Sequence, residues 1–395
     1  MASPKGGPRF CSGFWSRVPI AASGLCVAWL LSGCAGTSSA SDASGMGRPA
    51  RLQFQGDIAP DLPLHHVLWQ RASSQGAPVV RAILRDGLIL VATEKGWIHA
   101  YDMDGTQQWS EDLGQVPQFP PTLNSHEVAF VVDNDLVVLS RATGARKVRK
   151  RLSFTPSAPP VAGEMAVYIP AWDGSRIYAL DVHSGDEGWR LRTGGPVSGA
   201  PAVVGNAPRQ LLVVATENGG VLGLDALPAD AVPDKMLWES ETQGRNTASL
   251  FAATADTVLL ASEDMFVYAL DPVTGERRWS YGAAEPLVRT PVSSGDAVFV
   301  AAPSGLLALS LLDGHLLWKH GNADRLLVRD GGRAVLLDEE TSNLLTVDMA
   351  TGAVLEEHDG SAFAFFLTNT GGNGRLVLVG KTGEMLALDG RLPTP

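Results

Sequence analysis

One phrase returns along this chain at intervals of about 41 residues, and it constrains the fold more than any other feature. Tyr178-Ala-Leu-Asp-Val-His-Ser-Gly-Asp-Glu-Gly-Trp189 recurs as Tyr268-Ala-Leu-Asp-Pro-Val-Thr-Gly-Glu-Arg-Arg-Trp279 and as Leu307-Ala-Leu-Ser-Leu-Leu-Asp-Gly-His-Leu-Leu-Trp318. A shorter form is Ala100-Tyr-Asp-Met-Asp-Gly-Thr-Gln-Gln-Trp109. Degenerate copies end at Val148 and Glu356, and one lengthened by an insertion ends at Trp238. Short strands repeating with this period predict a β-propeller, in which each unit buries its apolar faces against its neighbours.

The copy around Trp279 shows how a unit becomes a blade. Thr257-Val-Leu-Leu-Ala-Ser262 reads as a buried strand, and Glu263-Asp264-Met265 breaks it with a polar turn. Phe266-Val-Tyr-Ala-Leu270 resumes as the next strand, and Asp271 to Gly275 turns again. Asp271 suits a side chain that binds its own turn's amides, and Gly275 suits a positive φ. Glu276-Arg-Arg-Trp-Ser280 then reads as the outer strand. Its Trp279 is placed to cover the neighbouring blade, with the indole N–H reaching a backbone carbonyl.

The Leu-Asp position occurs at Asp102, Ser140, Asp181, Asp225, Asp271, Ser310, Asp348 and Asp389, so eight blades are expected. The last copy stops before any outer strand, while an orphan outer strand, His66-Val-Leu-Trp69-Gln, lies upstream of the first. The N-terminal strand is therefore predicted to complete the last blade and leave no open end. Residues 59–395 make this all-β, eight-bladed propeller of four-stranded antiparallel blades, with Trp69, Trp109, Trp189, Trp238, Trp279 and Trp318 docking blade on blade.

The first 58 residues read differently. Lys5, Arg9 and Arg17 precede an apolar stretch, 18–31, too short to span a membrane as an ordinary helix. It ends Leu31-Ser32-Gly33-Cys34, which resembles the bacterial lipoprotein box; the alternative is a plain secretory leader with a chance Cys. The resemblance makes 1–33 a signal peptide and Cys34 the lipid-bearing first residue of the mature protein. By resemblance to the enterobacterial lipoprotein sorting rule, Ala35 rather than Asp after the Cys implies an outer-membrane destination, with the propeller in the periplasm. Residues 34–58 are then the lipidated Cys and a tether, whose small-residue part, 35–49, has a flexible-coil reach of roughly 20 Å. The three cysteines, Cys11, Cys26 and Cys34, all lie in this region, so the mature body has no disulfide and stands on blade packing. The net charge of −11 becomes more negative once the leader's three basic residues are removed, which argues against nucleic acid and against anionic lipid as the main partner.

The Ala-Leu-Asp…Thr-Gly…Trp phrase resembles the tryptophan-docking repeat of the pyrroloquinoline quinone (PQQ) propellers over about residues 60–390. Within them the chain is similar to the outer-membrane protein assembly factor B lipoproteins of the β-barrel assembly machinery. That resemblance implies a non-catalytic scaffold without cofactor, whose partner is a barrel-assembly subunit or another envelope protein. The dehydrogenase branch implies a vicinal disulfide and a bound calcium, and the mature body has no Cys. In the assembly-factor family a Leu-rich, Arg-containing loop and an Asp-rich loop meet the assembly subunit. The matching stretches here, 192–201 and 244–251, do not carry that pattern.

No constellation for catalysis or metal binding stands out. His126-Glu127 begins like a zinc-protease helix, but Phe130 stands where the second His belongs. Asp102-Met-Asp104-Gly105 and Asp133-Asn-Asp135 mimic calcium loops, yet both coincide with turns that every blade needs. Two surface features remain. Arg146-Lys147-Val148-Arg149-Lys150-Arg151 is a basic outer strand in an acidic protein: an edge guarded by charge, or a contact for an acidic partner or lipid headgroups. The hairpins joining second and third strands should share one rim and place Trp97, Trp172, Asp133, Asp173, Glu217, Asp264 and Glu339 on it. Exposed Trp beside carboxylates suits a protein contact, unless each Trp folds back on its own hairpin. A ligand- or glycan-binding channel is the alternative function, and a PQQ-dependent dehydrogenase the more distant one.

Overall fold

The structure, a computed structural model, describes residues 66–72, 77–172, 175–205, 209–227, 235–371 and 373–389. Cys34 and the segment before His66 lie outside these residues. The described chain is strand and turn, with 32 strands in eight four-stranded antiparallel sheets. β1 (His66–Ala72) comes first. Blade 1 follows as Val79–Arg85, Leu88–Thr93, Trp97–Tyr101 and Gln107–Asp112, which are β2 to β5 from the inside outward. Six further blades repeat that order. Their outer strands are β9 (Arg146–Arg151), β13 (Glu187–Arg192), β17 (Met236–Glu241), β21 (Arg277–Gly282), β25 (Leu316–His320) and β29 (Val354–Asp359).

The eighth blade closes the ring as the orphan strand predicts. β30 (Phe365–Leu367), β31 (Arg375–Val379) and β32 (Glu384–Asp389) supply three strands, and β1 pairs with β32 from His66↔Asp389 to Ala72↔Glu384. Eight apolar clusters correspond to the eight blade interfaces. The closing one joins Trp69 and Met385 of blade 8 to Ile89 and Tyr101 of blade 1. Each fully buried Leu, Ile or Phe in such a cluster contributes about 1.5–3 kcal/mol, so closure replaces an exposed sheet face with an interface like the other seven.

The repeated phrase now has a mechanical meaning. In blade 5, Asp271 Oδ1 accepts the amides of Val273 at 2.8 Å and Thr274 at 3.3 Å, and the Gly275 amide donates to the Asp271 carbonyl at 2.8 Å. Gly275 has φ +74°, and a Cβ there would stand 2.5 Å from the ring of Trp238. The glycine thus serves both the turn and the indole lying on it. The indole N–H groups reach across to the next blade at 2.7–3.0 Å: Trp69 to Met103, Trp109 to Arg141, Trp189 to Leu227, Trp238 to Pro272, Trp279 to Leu311 and Trp318 to Met349.

One regularity is invisible in the sequence. Every outer strand has a register break just before its docking position, a β-bulge that leaves one residue unpaired. From blade 1 to blade 8 these residues are Gln108, Lys147, Gly188, Leu237, Arg278, Leu317, Leu355 and Leu68.

Candidate functional site

The basic strand β9 is the edge of blade 2. Val148 takes the docking position and is 6% exposed; a Cβ on Gly185 of blade 3 would touch Val148 and the stem of Lys150. Ion pairs accompany the smaller side chain. Arg146 reaches back to Glu111 of blade 1 at 2.7 Å, and Lys150 reaches forward to Asp186 of blade 3 at 2.5 Å. The Asp186 carboxyl is held below its ordinary value by that lysine and by the Ser184 hydroxyl. Arg149 binds Asp135 at 2.9 Å, and Arg151 lies against Asp133 and Asp135. Exposed pairs of this kind contribute at most about 1 kcal/mol each, yet together they neutralise the strand's charge locally.

Lys147 differs from its neighbours. Its Nζ donates to Glu127 Oε1 at 2.5 Å, and the Glu127 side chain is only 2% exposed. Glu127 opens β7 (Glu127–Val132), where blade 1 has Leu88 and blade 3 has Ala166. His183 Nδ1 stands 3.9 Å from the same carboxylate oxygen. These three residues, with Gln108, His126 and Arg141, line a cleft of about 680 Å³ across the outer ends of blades 1 to 3. Sequence reasoning missed this cleft; its one signal is a Glu beginning an otherwise apolar strand. The zinc-protease resemblance dissolves here, because Phe130 is 1% exposed in the blade 1–blade 2 core. Among the described residues no group of three or more His, Cys, Asp or Glu is placed to hold a metal.

The hairpins between second and third strands carry the other candidate surface. Trp97 is 41% exposed and stacks on His99 with ring centroids 6.3 Å apart, and burial of that histidine lowers its pKa. Trp172, on blade 3, is 66% exposed. Asp173 lies outside the described residues. Between the two tryptophans in ring order, blade 2 ends in Asp133-Asn134, both with positive φ, a pairing that matches the twist of a two-residue hairpin. The remaining rim carboxylates are held by neighbours. Glu217 binds Arg245 at 3.0 Å, Glu339 binds Arg289 at 2.8 Å, and Asp264 accepts the Tyr268 hydroxyl at 2.6 Å. The stretch 244–251 thus supplies an arginine that pins blade 4's tip. The insertion between Leu227 and Lys235 leaves blade 4 without a turn glycine beneath Trp189. Lys235 stands there instead, 5.9 Å from the indole centroid, and donates to the Leu227 carbonyl at 2.8 Å.

Comparison with known proteins fits this architecture. The family model described as outer membrane protein assembly factor BamB, of the PQQ-repeat type, matches residues 65–151, 94–228 and 229–370. The protein of that name from Nitrosomonas eutropha is 28% identical over 193 residues, covering 46% of this chain and 44% of that protein. The chain thus spans less than half the length of that curated relative. Among solved structures, BamB from Moraxella catarrhalis superposes with a TM-score of 0.64 at 16% identity, over 84% of this chain and 99% of that one. A quinohemoprotein alcohol dehydrogenase from Pseudomonas putida gives 0.60 at 12% identity, over 84% of this chain and 78% of that one. Identities this low establish the fold alone. The family match spans most of the ring, and on it this chain belongs to the PQQ-repeat propellers of the outer membrane protein assembly factor BamB family.

Proposed function

We propose that this chain is a non-catalytic scaffold, held at the outer membrane by acyl chains on Cys34, with its ring in the periplasm assisting the assembly of β-barrel proteins. The observation that carries this reading is the family match across the closed ring. The surface chemistry agrees with it: Trp97 and Trp172 stand exposed on one rim, and a broad shallow cleft crosses blades 1 to 3. Rigid exposed aromatics suit a protein partner, since they bury a large area for little lost freedom. A barrel-assembly subunit is the partner we assign, with the Trp97–Trp172 rim and the Arg146–Arg151 edge as its contact candidates. Deleting the gene should lower the amount of folded outer-membrane barrels, and mass spectrometry of the mature protein should find an acylated N-terminal Cys34. Unchanged barrel levels would remove the assembly role, and an N-terminus other than acylated Cys34 would remove the anchor.

A further inference from the structure

At the height of the bulges, the outer strands are polar in blades 1 to 3 and apolar in blades 6 to 8. The two residues before the docking position stand at each blade's bulge. In blades 1 to 3 they are glutamines, Arg146–Lys147 and Glu187–Gly188. In blades 6, 7 and 8 they are Leu316–Leu317, Val354–Leu355 and Val67–Leu68, each residue 38–48% exposed. These three blades are consecutive: continuous cores join blade 6 to 7 and blade 7 to 8. The six side chains therefore form one band along three neighbouring outer strands, all at the same height. Blade 4 has a similar pair, Met236–Leu237, but Arg277 and Arg278 of blade 5 cut it off from the band. Scattered exposed aliphatics need no explanation, whereas an exposed pair repeated at the same position in three consecutive blades does.

The position of the band says what covers it. In its blade 8 pair, Val67 follows His66, the first residue of β1, and His66 pairs with Asp389 at the end of β32. The N-terminal segment thus joins the ring at the apolar sector, on the rim where the bulges lie. We propose that the outer wall of blades 6, 7 and 8 rests against the lipid surface, with the band entering the headgroup–acyl boundary while the polar wall of blades 1 to 3 faces the periplasm. This inference rests on the reading that Cys34 is acylated, because only then does the segment that joins the ring at His66 tie it to the bilayer. The protein is acidic, so adsorption must come from apolar burial rather than from attraction to anionic headgroups.

The body of the ring has no cysteine, so single labels report cleanly. Leu317→Cys and Leu355→Cys on the band, and Gln108→Cys on the polar wall, would each carry an environment-sensitive fluorophore. The full-length protein, processed in cells, would be reconstituted in phosphatidylethanolamine–phosphatidylglycerol vesicles with and without acyl-brominated lipid. The expected result is loss of fluorescence to the brominated chains at 317 and 355, none at 108, and no change on raising the salt. Equal, negligible quenching at all three sites on vesicles that carry the protein would overturn the proposal. A second arm separates the band from the anchor. The same variants with Cys34→Ser and an N-terminal polyhistidine segment would be held on vesicles containing a nickel-chelating lipid. Quenching at 317 and 355 in that arm supports the band even if the natural protein fails to float with vesicles, and its absence refutes the band whatever the state of Cys34.

Discussion

Gly144 of blade 2 lies directly beneath the indole of Trp109 of blade 1, with φ +70° and so little space that a Cβ would stand 2.7 Å from the ring. Just before that glycine, the Arg141 carbonyl accepts the indole N–H at 2.7 Å. The pairing of a turn glycine with the preceding blade's tryptophan explains why both recur at fixed spacing. Gly144→Ala should cost about 1–2 kcal/mol for the left-handed backbone and about 1–3 kcal/mol more for overpacking the indole. Gly114→Ala supplies the control: it has φ +83° with nothing within 4 Å, so only the backbone cost applies. Equilibrium urea unfolding of the two variants should therefore rank Gly144→Ala clearly below Gly114→Ala.

Closure makes a separate prediction. Trp69 is the closing strand's contribution to the blade 8–blade 1 core, where its Nε1 donates to Met103 and Arg375 donates to the same carbonyl at 3.0 Å. Trp69→Ala should cost about 3–5 kcal/mol. It should also raise amide hydrogen exchange in β1 and β32 ahead of the rest of the ring, because the pairing that spans the chain's two ends is weakened first. Uniform loss of protection in all blades would contradict this order.

Lys147 and Glu127 form the one ion pair of the basic strand with a nearly fully buried partner. Lys147→Ala leaves that carboxylate without its main cation and should destabilise by about 1–3 kcal/mol. Lys150→Ala, at an exposed pair, should cost under about 1 kcal/mol. Glu127→Leu copies the residue of blade 1, so combined with Lys147→Ala it should recover much of the loss. A double-mutant cycle by chemical denaturation checks the coupling.

Much of the fold was legible because tryptophan, glycine and the turn aspartate are each tied to one geometry. The departures have local causes. Blade 7 carries Glu356 at its docking position, bonded to His358 at 3.3 Å, and its neighbour, blade 8, has no continuous turn between β32 and β1 to receive an indole. Blade 2 replaces the indole with Val148 and ion pairs to both neighbours. What the sequence hides is pairwise. The bulges depend on register, and the Glu127–Lys147 and Glu217–Arg245 pairs join residues whose proximity exists only after folding. For that reason the basic strand reads as a free patch in the sequence, although the folded strand is largely neutralised by its neighbours.

The turn carboxylates predict the acid limb of stability. At Asp271 burial opposes ionisation, but the amides of Val273 and Thr274 and the Arg278 guanidinium outweigh it and hold the carboxyl below its ordinary 3.8. Asp348 is lowered by the Thr351 hydroxyl and by the turn amides, and Asp313 to about 2 by the Ser310 hydroxyl and His315. A carboxyl lowered in the folded state stabilises fully above its unfolded value, and that contribution is lost as pH falls through the folded value. Through these carboxylates stability should thus decline between about pH 4 and 2, beneath a separate loss that begins below about pH 6.5 as the unfolded chain protonates His99, whose folded pKa is lowered by burial. Asp271→Asn, which keeps the acceptor oxygen without the charge, should make that decline shallower in urea unfolding measured across the range.

The central claim is that the ring works by holding a partner of the barrel-assembly machinery. In-cell photo-cross-linking from probes at Trp97, Trp172 and Lys147, read by mass spectrometry, addresses it most directly. A barrel-assembly subunit trapped from at least one of these positions is the predicted result, and the position that traps it identifies the surface in use. Only scattered envelope proteins, or no adduct from any of the three, would contradict the claim.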